Sequence, residues 1–121
     1  MFGFFKKKNN TDETPINGPD YSMIDSNEKA IDLYKKGELV KLYLMPLEFG
    51  GEDSPVNTLY VPEFAQEFKQ RFDVMVEELL REGKELAYSA EPAYKGSSFI
   101  PSALTIKVTG ESEFTEVIQV W

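Results

Sequence analysis

The chain has 121 residues, 41% hydrophobic and 13% aromatic, with 21 acidic against 13 basic side chains and a formal net charge of −8. It contains neither cysteine nor histidine, which excludes disulfides, zinc sites, Ser-His-Asp triads, Cys-His dyads and His-dependent nuclease chemistry within the chain. Lys6, Lys7 and Lys8 precede any acid, so 10 basic residues face 21 acidic ones from residue 11 onward; such a body repels phosphate backbones, and the charge serves either plain solubility or encounter with basic proteins.

The size fits one domain, and the apolar content suffices for a core without covalent staples. Residues 1–20 read as a flexible leader, polar from Lys6 and broken by Pro15, Asn17-Gly18 and Pro19. Its start, Met1-Phe2-Gly3-Phe4-Phe5 followed by three lysines, lacks the order, apolar length and cleavage site of a secretory signal. No apolar run approaches the roughly 20 residues that span a bilayer. The expectation is a cytoplasmic protein without stable membrane insertion, with residues 21–121 as its single domain.

A first helix is expected over about 26–36, opened by a capping-box variant of Asp25 and Glu28 and closed by Lys35, Lys36 and Gly37. Ala30, Ile31 and Tyr34 share its apolar face, with Leu33 beside them. The nearly continuous apolar run 39–45 reads as a strand covered on both faces, ended by Pro46. Residues 46–56 form a loop, and a short strand at 57–61 stops at Pro62. The second helix, about 63–82, starts where a proline N–H is not needed and ends at Gly83. Phe64, Phe68, Phe72, Met75, Val76 and Leu79 recur at spacings of three and four, an apolar stripe expected to pack in the core. Strands follow at 85–90, with Pro92 marking an edge or bulge beyond, at 103–109 and at 114–121. A turn at 94–98 and another at Gly110-Glu111-Ser112 separate them. The order αββαβββ defines an α+β domain, with two helices and a largely antiparallel sheet of about five strands.

Two loops hold the residues that could bind something, since loops carry function more often than packed faces. The first is Glu48-Phe49-Gly50-Gly51-Glu52-Asp53 with Asn57, where carboxylates on a glycine-rich loop suit a hard cation. It has neither the spacing of an EF-hand nor the Gly-Lys-Ser/Thr of a phosphate cradle. The second is Tyr94-Lys95-Gly96-Ser97-Ser98, where a Ser-Lys pair would need a desolvated lysine.

The order of short motifs extends this reading. An apolar strand leads to Phe49-Gly50-Gly51, then Asn57 and Val61-Pro62; a long helix ends in Glu82-Gly83-Lys84; then come Glu91-Pro92, Tyr94-Lys95-Gly96-Ser97 and Pro101. Over about 42–106 this resembles the DNA/RNA non-specific endonuclease domains of bacterial toxins, a ββα-metal nuclease family. Those domains carry a strand with Asp-Arg-Gly-His, then Phe-Gly-Gly, Asn-x-Val-Pro, a helix ending Glu-Gly-Lys, and Pro-x-Tyr-x-Gly-x-Ser. The departures fall on the chemistry. Leu42-Tyr43-Leu44-Met45 stands where the family's general-base histidine belongs, and residues 58–83 contain no asparagine to hold the metal. The resemblance implies a catalytically inactive relative, since neither base nor ligand remains to activate water.

The sequence therefore leads to a non-catalytic protein-interaction domain, such as a bacterial toxin–immunity or accessory protein. Its expected partner is a basic protein; nucleic acid, catalytic residues, bound metal and cofactors are not expected. The alternatives are a metal-dependent hydrolase using only carboxylates, centred on Glu48, Glu52 and Asp53, and a module that self-associates through its last strand into a homo-oligomer.

Overall fold

Ser26 opens the first helix, α1 (Asn27–Lys35), by accepting the Lys29 N–H at 3.2 Å on its hydroxyl, which satisfies one of the helix's free donors. The cap is thus Ser26 and not Asp25; the Asp25 carboxylate instead takes the Lys29 ammonium at 2.7 Å. The computed structural model describes residues 19–121. Most of the expected leader, and the N-terminal phenylalanines and lysines with it, lies outside the described residues.

The domain is α+β, in the order α1, β1 (Val40–Tyr43), β2 (Thr58–Val61), α2 (Glu63–Arg81), β3 (Leu86–Ala93), β4 (Ala103–Gly110) and β5 (Phe114–Gln119). The five strands form two antiparallel sheets, not one. β1 and β2 make a hairpin with Leu42 opposite Leu59, and β3, β4 and β5 make a three-stranded sheet with β4 central. β1 is shorter than the apolar run suggested because Met45 turns away and bonds the Asn57 side chain. β3 runs through Pro92, opposite Leu104; at a sheet edge the missing N–H costs no ladder bond. β5 stops at Gln119, and the N–H groups of Val120 and Trp121 both reach the Ser102 carbonyl, at 2.8 and 3.2 Å.

One face of the three-stranded sheet is buried. Tyr88, Ala90 and Pro92 of β3 lie in register with Val108, Ile106 and Leu104 of β4, and these with Phe114, Glu116 and Ile118 of β5. α2 covers this face with Ala65, Lys69, Phe72 and Val76, spaced four, three and four apart. The expected stripe is therefore rotated: Phe72 and Val76 are buried, but Phe64, Phe68 and Met75 lie on a flank, 46%, 48% and 42% exposed. A second, smaller cluster joins Ala30 of α1 to Leu39 and Ile100, with Tyr21, Ile24, Leu33 and Tyr60 against it; Trp121 touches both clusters. Among the described residues no helix is long and apolar enough to cross a membrane.

Candidate functional site

The loop between β1 and β2 is held by its own side chains. Pro46 leads into a single 3-10 turn, Leu47–Phe49, and the left-handed Gly50 reverses the chain (φ 99°). The Asn57 carboxamide then stands in for a strand: its Oδ1 accepts from Met45 N at 2.8 Å, and its Nδ2 donates to the carbonyls of Met45 (3.0 Å) and Glu52 (2.9 Å). Gly51 sits so close that a Cβ there would come within 2.0 Å of the Met45 oxygen. Asn57 and Gly51 are thus committed to the loop's own shape. Of the carboxylates, Asp53 lies 3.9 Å from the Lys41 ammonium and Glu48 lines a neighbouring cleft. Among the described residues no three carboxylates converge where a cation could sit, so Glu48, Glu52 and Asp53 do not assemble as a ligand set.

The 94–98 turn is used in the same way. Ser98 is buried; its hydroxyl donates to the Tyr21 carbonyl at 2.8 Å and accepts the Ile100 N–H at 3.1 Å, pinning the Tyr21 segment to the connection between β3 and β4. Lys95 is exposed and lies over the Trp121 ring, 4.8 Å from its centroid. Ser98 and Lys95 therefore form no nucleophile pair. Tyr94 and Ser97 remain exposed, and partial burial pushes the Tyr94 phenol up. The two clefts lined by the 46–57 loop take no residue from 94–98.

Between β1, the 3-10 turn and α2 lies a polar cleft of about 180 Å³, lined by Lys41, Tyr43, Glu48, Gln66, Lys69 and Asp73 among others. At its floor the Lys69 ammonium contacts Asp73 Oδ2 at 2.7 Å, the two side chains being 4% and 13% exposed. The Tyr88 hydroxyl donates to Asp73 Oδ1, and the ammonium lies 5.4 Å from the Tyr88 ring centroid. Phe49 packs edge-on against the same ring. Burial lowers the Lys69 pKa, opposed by the hydrogen bond and charge of Asp73; burial, then Asp73, raises that of Tyr88 far above the ordinary phenol value. Both carboxylate oxygens are engaged, and the phenol is held protonated. The trio ties α2 to β3 through a carboxylate whose two oxygens both have partners. Sequence reasoning missed it because Lys69 and Asp73, four apart on a helix, look like a surface ion pair. The available signal was Ala65, Phe72 and Val76, which leave Lys69 as the missing member of an apolar face.

The opposite flank of α2 has another character. Phe64, Phe68 and Met75 stand exposed, with the Arg71 guanidinium 5.0 Å from the Phe68 ring centroid. The acids Glu63, Glu67, Glu78 and Glu82 lie along the same helix and its end, also exposed. Phe64, Phe68 and Met75 fall within about 40° of one another around the helix, so they form one apolar patch edged by charge. Compared with models of known protein families and with curated proteins, the chain matches none.

Proposed function

We propose that this chain is a non-catalytic interaction domain that docks a basic protein, in the manner of an immunity or accessory protein of a bacterial toxin system. The observation that carries the reading is the exposed α2 flank of Phe64, Phe68 and Met75 on a body whose described residues hold 19 acids against 10 basic residues. Large aromatic side chains supply contact area at a hot spot, and surrounding acids steer a cationic partner toward it. The hairpin β1–β2 is followed by α2, an order compatible with the nuclease resemblance, which would put other residue types where its base and metal ligand stand. The buried Lys69–Asp73–Tyr88 trio and the self-bonded loop agree with a scaffold more than with a reaction centre.

The test is affinity capture with the full chain from lysate of its own cells, eluted by a salt gradient. A basic protein released as salt rises supports the reading, since steering by charge is screened over about 10 Å at 0.1 M. Turnover of nucleic acid by the purified chain with magnesium or manganese would contradict it.

A further inference from the structure

β5 has β4 on one side and, among the described residues, no strand on the other. The Val120 N–H crosses to Ser102 of the neighbouring chain segment. Alternation along an antiparallel ladder then turns the N–H groups of Ile118 and Glu116 toward β4 and those of Thr115, Val117 and Gln119 toward the free edge. Such an edge is a template for an added strand.

The helix above it supplies side-chain contacts for that strand. Asp73 reaches Tyr88 on β3, and Phe72 meets Phe114 on β5 with ring centroids 5.5 Å apart, so α2 turns from one sheet edge toward the other around its circumference. At about 100° per residue, Phe64, Phe68 and Met75 lie beyond Phe72 on the side away from Asp73. Phe64, Phe68 and Met75 therefore stand on the β5 side of the helix.

Charge selects the occupant. Glu116 is on the core-side face of β5, in register with the fully buried Ile106, and forms no salt bridge with another described residue. Between Val108 and Trp121 there are three acids, Glu111, Glu113 and Glu116, and no lysine or arginine. Opposite charges on paired strands stabilise and like charges destabilise. An inward acid on an edge strand thus disfavours pairing with a second copy of itself and favours a segment bearing lysine or arginine.

We infer that the β5 edge accepts an extended, basic segment of a partner protein as a further strand, with its apolar side chains under Phe64, Phe68 and Met75 and a cationic one opposite Glu116. This rests on the interaction reading above and names its mode and the chemistry of the partner. The probe is a capped peptide in which valine, lysine and valine occupy alternate positions, so that all three share one face of the added strand, with threonine between them; it is titrated into the isotope-labelled full chain and followed by amide NMR. Saturable shifts in Phe114–Gln119 and in the 64–75 flank are expected, absent with the glutamate-for-lysine peptide. Glu116→Lys should reverse that preference. Val117→Pro, which removes only an outward N–H, should abolish the β5 shifts; Thr115→Pro replaces it if that variant does not fold. Shifts spread over the acidic surface and indifferent to both prolines overturn the inference. So does concentration-dependent sedimentation that the prolines abolish, because a second copy would then fill the edge. If a cellular partner is lost with Phe68→Ser but kept with the edge prolines, strand addition fails and the interaction reading survives; if Phe68→Ser also leaves capture unchanged, the reading itself fails.

Discussion

The Tyr88 hydroxyl on β3 donates to the Asp73 carboxylate on α2, whose second oxygen holds the buried Lys69 ammonium. One carboxylate thereby ties the helix to the sheet and neutralises a cation that burial alone would disfavour. Removing Asp73 strands that cation. Asp73→Ala should cost about 3–5 kcal/mol, whereas replacing the whole trio, Lys69→Met, Asp73→Leu and Tyr88→Phe, should cost far less, since no buried charge or hydroxyl is then left unpaired. Urea unfolding of the two variants and the parent checks this.

The same trio fixes a pH dependence. Tyr88 has its pKa raised in the folded state, so the unfolded chain loses that proton first. Its contribution is fully present below about pH 10 and is lost as pH rises further. Lys69, lowered from 10.5, acts in the opposite sense: its burial penalty is present at neutral pH and is relieved as pH rises through its lowered value. In Tyr88→Phe only the second effect remains of the two. Relative to that variant, the parent should lose stability above about pH 10, read from urea midpoints with tyrosinate absorbance alongside. The other raised tyrosines, Tyr21, Tyr43 and Tyr94, are common to both proteins.

Asn57 replaces three backbone contacts with one side chain. At about 0.5–1.5 kcal/mol per hydrogen bond, Asn57→Ala should cost roughly 2–4 kcal/mol. Gly51→Ala should be at least as harmful, since its new methyl meets the Met45 carbonyl oxygen at 2.0 Å. Amide exchange confined to the 44–58 segment, faster in both variants, is the expected signature.

The two aromatic faces of α2 separate cleanly by stability. Phe72, 9% exposed and packed on Phe114, should cost about 3–5 kcal/mol as Phe72→Ala. Phe68→Ala, on the exposed flank, should fall within about 1 kcal/mol of the parent. Thermal unfolding of both variants distinguishes them.

Element order was legible from punctuation: Pro62 starts α2, Gly83 follows its end, and alternation at Leu104, Ile106 and Val108 marks β4. The phase of α2 was not, because its apolar positions span the buried arc and the flank together. Weighting Phe over Ala and Lys turned the face toward Phe64 and Phe68. Asn57 and Ser98 looked like binding residues because a polar side chain in a loop carries the same signature whether it bonds a ligand or its own backbone. The division of strands into two sheets arises because the β1–β2 hairpin pairs with none of β3, β4 and β5, a tertiary arrangement that local pattern does not encode.

The proposed function turns on docking through the α2 flank. Its most direct measurement compares capture of a basic protein from the chain's own cells by the parent and by the double variant Phe64→Ser, Phe68→Ser, at low and raised salt. Retention by the parent should fall at least about tenfold with the double variant, the expected loss for one or more interface anchors, and should weaken as salt rises. Equal retention by both proteins, with the double variant folded, would contradict it.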